Sequence, residues 1–421
     1  MWENWDDVGY STIIGSTAEE SEDESHRNNV EMIHSKLSAS LSKAYIEVKN
    51  QSPEEYARMR DLLFEQLREY IDTIAENYYP SPFHSFHHAK QVVLNTNHLI
   101  ELSIKHPGTW TISHAQAFCL LFAALVHDVD HWGLTNAYMI KENLHGLSTK
   151  YPDGSLAEHK SIDLSIKLLK ESKFDKLREV ICGLNFHQRT PTTNPRMENH
   201  DLSVFEGVIT TLILSTDIMN PQRIATSRSK WDQTFNTPDD AEAEQLDGRD
   251  EAILEQLLQL ADIGHCTQRW ETLIAWNQRL LTELVSASKA GRGIDPSDVW
   301  FNGQISFFDN YIVPLTERIR ISGIFSNDIS DTFLVGTLRN KVRWTEEGVT
   351  LCERMKEIAR SDASPRRFST SSIEFCIDHE VSKAPLVRPL LQLRPSMSST
   401  APPTSAYSEN AIQSQRNIWS R

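Results

Sequence analysis

One stretch limits the folding choices of this chain more than any other. Phe118-Cys-Leu-Leu-Phe-Ala-Ala-Leu-Val126 runs directly into His127-Asp-Val-Asp-His-Trp-Gly133. The apolar run is far shorter than the ~20 residues needed to cross a bilayer. A helix that is apolar all round is buried in a protein core. This one would carry His127, Asp128 and His131 inside with it. Buried imidazoles and carboxylates without partners are costly, and a metal ion removes the cost by pairing with them. A second cluster, Phe83-His-Ser-Phe-His-His-Ala89, strengthens that reading. His84 and His88 lie four apart and share a helix face, as do His127 and His131. Two later segments, Leu214-Ser-Thr-Asp-Ile-Met219 and Leu258-Gln-Leu-Ala-Asp-Ile-Gly-His265, each end an apolar run on an aspartate. Asp217 and Asp262 are therefore each a helix cap or a metal ligand. Mixed imidazole and carboxylate ligands suit Zn²⁺, Fe²⁺ or Mn²⁺, and a carboxylate-rich half with water suits Mg²⁺.

The rest of the body reads as helices. Leu62-Leu63, Leu67, Tyr70-Ile71 and Ile74 recur at helical spacing, and so do Ile253-Leu254, Leu257-Leu258 and Leu260. Strand patterns are rare, and Asn302-Gly303 sits beside aromatic runs that suit a helix start better than a hairpin. Loops are expected at Tyr79-Pro-Ser-Pro82, Tyr151-Pro-Asp-Gly154, Thr190-Pro-Thr-Thr-Asn-Pro195 and Gly291-Arg-Gly-Ile-Asp-Pro296. The expectation is one all-α domain over residues 29–360. An acidic tail over 1–28 and a Ser/Pro-rich tail over 361–421, both expected to be disordered, flank it.

Composition narrows the partners. The formal net charge of -16 repels nucleic-acid phosphates, so any anionic ligand must be drawn in locally, as bound cations would do. Five scattered cysteines without a Cys-x-x-Cys pair argue against a disulfide framework and a thiolate zinc site. With an acidic N-terminus lacking a leader pattern, they point to a soluble cytoplasmic chain.

At this point the motifs resemble a family. His…His-Asp…Asp is the pattern of the His-Asp hydrolase superfamily. The longer form is Phe-His-x-x-x-His-Ala followed by His-Asp-x-Asp-His-x-Gly-x-x-Asn. It resembles the catalytic domain of class I 3′,5′-cyclic-nucleotide phosphodiesterases. The likeness continues through Ser215-Thr-Asp-Ile218, Ala261-Asp-Ile263 and Gly303-Gln-Ile-Ser-Phe-Phe-Asp-Asn-Tyr-Ile-Val-Pro314. The wording Pro82-Phe-His-x-Phe-x-His-Ala89 is most similar to protist and algal versions.

The resemblance implies a compact multi-helix fold and two divalent ions. His88, His127, Asp128 and Asp262 match the ligands of the tighter ion, usually zinc. Asp128 would bridge to a second, usually magnesium with manganese as the alternative. His84 matches the general acid, and His131, Glu158, Thr216 and Asp217 match positions around the second ion's waters. Gln304 matches the residue that hydrogen-bonds the purine, with Phe307 and Leu280 on either face of the base. The implied reaction is hydrolysis of cyclic AMP, cyclic GMP or both to 5′-monophosphates, by a hydroxide held between the ions and a proton from His84. The alternatives are a His-Asp phosphohydrolase for another nucleotide and a weakly active sensor.

The chain departs from the pattern at Ser85, Trp132, Lys160-Ser161, Gln259 and His265, where the family usually has Asn, Pro, His-His, His and Asn. None removes a metal ligand, but outer partners tune ligands. The expected partners are the cyclic nucleotide, a kinase acting in Arg366-Arg-Phe-Ser-Thr370 at Ser369, and a second copy of the chain, with no nucleic acid and no membrane.

Overall fold

The computed structural model describes residues 5–8, 22–49, 53–184, 202–235 and 244–361. The expected loop at Thr190–Pro195 and the tail from 362 onward lie outside them. Among the described residues there is no strand, only an isolated bridge between Pro107 and Phe325. The expected all-α architecture is found.

The apolar run forms α4 (His114–Val126), following α1 (Glu22–Lys49), α2 (Pro53–Glu76) and α3 (Phe86–Lys105). A capping box starts α4: the Ser113 hydroxyl accepts from the Gln116 backbone N–H, and the Gln116 side chain accepts from the Ser113 N–H. Every residue from Ala115 to Val126 is buried, so α4 is the axis of the core. After it come α5 (Asn136–Lys141), α6 (Leu156–Leu169), α7 (Asp175–Cys182), α8 (Ser203–Leu214) and α9 (Pro221–Phe235). The last group is α10 (Glu244–Asp262), α11 (Trp270–Lys289), α12 (Trp300–Phe307), α13 (Val313–Ser322) and α14 (Asn327–Ser361), with a π-helical turn at Phe308–Ile312 joining α12 to α13. Helices α1, α3, α8 and α10 pack around α4.

Long-range hydrogen bonds fix the end of α4 where the chemistry begins. The Tyr78 hydroxyl donates to the Leu125 carbonyl at 2.7 Å, and the Asp130 N–H donates to the Asn77 carbonyl at 3.1 Å. Both partners come from the end of α2, so the loop after α2 and the turn after α4 are one unit. The expected loops at Tyr79–Pro82, Tyr151–Gly154 and Gly291–Pro296 are irregular, and Asn302-Gly303 lies inside α12.

Composition misplaces the N-terminal boundary. Helix α1 starts at Glu22, inside the stretch expected to be a disordered tail. Trp5 is itself buried, donating its indole N–H to Thr267 Oγ1 at 2.7 Å and meeting Phe333 edge-on at 5.2 Å. Its neighbours Asp6 and Asp7 pair with Arg339 and Arg269. A window average over an acidic stretch hides one large apolar side chain that finds a socket. Four cysteines, Cys119, Cys182, Cys266 and Cys352, are free thiols among the described residues. No helix there is long and apolar enough to cross a membrane.

Candidate active site

The C-terminal end of α4 delivers His127 to the interior. Its Nδ1 lies 3.0 Å from the Ala124 carbonyl oxygen, which can only accept. Nδ1 therefore carries a hydrogen, and Nε2 is the ring nitrogen that faces the site. That Nε2 is 3.1 Å from Asp128 Oδ2 and 3.6 Å from Asp262 Oδ1. From α3, His88 Nε2 is 2.9 Å from Asp262 Oδ1 and 3.7 Å from Asp128 Oδ2. Two imidazoles and two carboxylates from three helix ends thus converge, with both imidazoles buried. The donor atoms of His88, His127 and Asp128 lie within 4.8 Å of one another.

The donor set fits a divalent cation. His127 Nε2 is buried without a hydrogen-bond partner of good geometry, and so is His88 Nδ1. Burial opposes charge on Asp128, yet the His127 imidazole beside it holds its carboxyl well below the usual range. Asp262 is likewise held low, against burial, by His127 and His88. Two carboxylates held ionised and two imidazole nitrogens, all aimed at one point, form a donor set that a divalent ion can take in place of the ring protons.

A second group lies beside the first. His84 Nδ1 is 2.5 Å from Glu283 Oε1, and Glu283 Oε2 accepts the backbone N–H groups of Phe83 and His84 at 2.9 and 3.0 Å. Ser81 also donates to Glu283. Burial pulls the His84 imidazole down, but Glu283 chiefly, with Asp128 and Asp262 behind it, outweighs burial and holds His84 at about 9. Glu283 is pushed up by burial and brought down to about 2 by the His84 imidazolium. His131 stacks on His84 with ring centroids 3.8 Å apart. Its Nδ1 accepts from the Gly133 N–H, so its hydrogen sits on Nε2. Burial, then the charge on His84, lowers it to about 3, leaving a neutral ring against a cationic one. Gly133 is in the left-handed region at φ 67°, and an added Cβ would sit 3.4 Å from Glu283.

Glu158 and Asp217 form the third group. One amide serves both: Asn136 Nδ2 donates to Glu158 Oε2 at 2.9 Å and to Asp217 Oδ2 at 3.0 Å. Burial, then the Asp217 carboxylate, raises Glu158 to about 8. This is the signature of carboxylates short of positive charge. The Thr216 hydroxyl donates to the Ile213 carbonyl at 2.7 Å and keeps its acceptor lone pairs.

Gln304 is buried on α12, and its amide orientation is fixed by a relay. The Trp300 indole can only donate, and it does so to Asn277 Oδ1 at 2.7 Å. Asn277 must then offer its Nδ2, which donates to Gln304 Oε1 at 2.8 Å. The Gln304 NH₂ and one acceptor lone pair are left over. Phe307 is half-buried and stacked on Tyr311 at 5.4 Å, while Leu280 is half-buried on α11.

Two functional side chains escaped the reading of residues alone. Glu283 lies on the α11 face that carries Trp276 and Leu280, where a carboxylate among apolar positions was the available signal. Asn136 stood within the quoted motif, but its clamp on two carboxylates needed Asp217 in place. Of the departures, Gln259 donates to the Ser215 carbonyl at 2.7 Å and buried His265 is lowered to about 3, by burial first and then by His88. Ser85 is the N-cap residue of α3 without a side-chain cap bond.

A helical domain that buries this imidazole-carboxylate set beside a charged His–Glu pair has the donor arrangement of a His-Asp metal centre. The chain belongs to the 3'5'-cyclic nucleotide phosphodiesterase family, which it matches over residues 83–322. It is 24% identical over 267 residues to a probable 3',5'-cyclic-AMP phosphodiesterase of Caenorhabditis elegans, covering 59% of this chain and 35% of that one. It is 24% identical over 264 residues to a cGMP-specific 3',5'-cyclic phosphodiesterase of Plasmodium falciparum, covering 61% of this chain and 30% of that one. The chain therefore spans about a third of the length of these relatives. Its fold is similar to the phosphodiesterase domain of Salpingoeca rosetta rhodopsin phosphodiesterase, with TM-score 0.58, 20% identity, 84% of this chain and 94% of that one covered.

Proposed function

We propose that this chain hydrolyses 3′,5′-cyclic nucleotides to 5′-nucleoside monophosphates. The observation that carries the proposal is a protonated, carboxylate-held His84 beside the converging donors of His88, His127, Asp128 and Asp262. Those four residues would hold the tighter ion, zinc, and Asp128 would share a second, magnesium or manganese, near His131, Glu158, Thr216 and Asp217. When bound, the ions supply charge neutralisation for the phosphate and a water acidic enough to ionise near neutral pH.

The chain's own residues do the rest. Glu283 keeps His84 cationic and occupies its Nδ1, which leaves Nε2–H to protonate the departing O3′ as the P–O3′ bond breaks. His131 supports that ring by stacking on it. Gln304, its amide set by Trp300 and Asn277, hydrogen-bonds the purine edge, and Phe307 and Leu280 flank the base. Kinase action at Ser369, pairing with a second copy and a cytoplasmic location complete the proposal; Ser369 lies outside the described residues.

The test is hydrolysis of cyclic AMP and cyclic GMP by the 421-residue chain, with and without chelator. Turnover that chelator abolishes and added Mg²⁺ or Mn²⁺ restores is expected. A folded, metal-loaded chain that hydrolyses neither nucleotide refutes the proposal.

A further inference from the structure

Three of the chain's departures from its family's pattern meet at one turn. Between Asp128 and His131 the backbone passes through Asp130 at φ 63°, a left-handed conformation uncommon outside glycine, though less so for aspartate. Such a residue persists where its surroundings over-determine it. Here they do so from several sides. The Asp130 N–H is held by Asn77 at 3.1 Å. Its carbonyl accepts from Lys160 Nζ at 2.7 Å, and its Oδ2 lies 3.0 Å from the same ammonium. Its Oδ1 accepts the Trp132 indole N–H at 3.0 Å. The ammonium also sits 3.4 Å from the centroid of the Trp132 ring, within cation–π range. One residue on, the Ser161 hydroxyl donates to the Val129 carbonyl at 2.8 Å. The two successive carbonyls of the turn are thus both bound by α6, through Lys160 and Ser161.

We propose that Lys160 is a positioning residue. Clamped between Asp130 and the Trp132 ring, it fixes the turn that separates the Asp128 carboxylate from the His131 ring stacked on His84. The inference rests on the hydrolase reading of that site. Lys160 makes no hydrogen bond to His84 or to the imidazole-carboxylate set, and its side chain is only 10% exposed; it acts on the site through the backbone it holds, with its charge also felt at His131. A lysine is suited to this, because three donors on one ammonium reach a carbonyl, a carboxylate and a ring face together.

The test uses the full chain with Lys160→Met, Lys160→Arg, Trp132→Leu and the Met/Leu double variant. Lys160→Met should lower kcat about 10–100-fold with KM changed by less than about threefold, the range typical when a partner of a ligand is lost. It should speed metal loss to chelator by a similar factor. Lys160→Arg should recover most of kcat, since it keeps the charge and the ring contact. The double variant should be no worse than about the poorer single variant, because both break one unit. In the parent chain the Asp130 amide should exchange slowly, and in Lys160→Met faster. A folded Lys160→Met with parental kcat and parental metal retention overturns the proposal, as do effects that multiply in the double variant. Should Lys160→Met not fold, wild-type kcat in Trp132→Leu together with a fast-exchanging Asp130 amide in the parent overturns it. If the parent hydrolyses neither nucleotide, the hydrolase reading fails, while amide exchange and metal loss still decide the role of Lys160.

Discussion

Replacing Glu283 by Gln tests whether the His84–Glu283 pair makes the acid. The variant keeps an oxygen for the Phe83 and His84 N–H groups, so the loop geometry should survive while the charge goes. Glu283 is the leading cause that raises His84 from 6.5 to about 9 against burial. At about 1.4 kcal/mol per pH unit, that rise corresponds to about 3 kcal/mol of preference for the imidazolium. With the carboxylate gone, only Asp128 and Asp262 oppose burial, and His84 falls back toward its ordinary value. At pH 7.5 an imidazole of ordinary pKa is roughly one-tenth protonated, against nearly all in the parent. The expected result is a fall in kcat of about tenfold or more at pH 7.5, largely recovered near pH 5.5. The alkaline limb of the kcat profile should move from about 9 toward neutrality. The same pair should show in stability. The His84 contribution is fully present below pH 6.5 and lost as pH rises through about 9. The Glu283 contribution is present above pH 4.5 and lost as pH falls through about 2. A Gln variant with the parental pH profile, or one whose loss persists unchanged at low pH, refutes the reasoning.

Four further substitutions probe three separate claims. His84→Ala should cut kcat by ~10²–10⁴-fold while metal content by mass spectrometry stays near the parent's, whereas Asp262→Ala should lose the tight metal; metal loss in the first or retention with activity in the second contradicts the assignment. Trp300→Phe frees the Asn277–Gln304 relay, so the ratio of kcat/KM for the two cyclic nucleotides should move toward one; an unchanged ratio shows that the relay does not set it. Gly336→Ala should lower the melting temperature although alanine is the better helix former by about 1 kcal/mol. Its Cβ would meet the Thr267 carbonyl oxygen at 2.1 Å, and a rise in Tm would show that the helix can move away.

The sequence by itself determined what is local. The apolar run sets α4 and demands its burial, and that places His127 and Asp128 at an interior helix end. The family pattern singles out His84, His88 and His131, whereas the helical spacing expected of them does not hold: His84 precedes α3, and His131 follows the left-handed turn at Asp130 after α4 has ended. Three things were decided only by tertiary structure. Glu283 stands 199 residues from His84, and Asp262 stands 174 residues from His88, so no periodicity links them. Their meeting follows from how α10 and α11 pack beside α3 and α4. The same holds for Lys160, Ser161 and Trp132, which read singly as unrelated departures and form one clamp only where α6 crosses the turn after α4. The burial of Trp5 is a third case: a lone tryptophan among acidic residues has no neighbours of its own to pack on, and its socket is built by Thr267, Phe333 and His98, far along the chain. Local order is written in adjacent residues, whereas charge pairing at the site depends on side chains that only a folded core brings within reach.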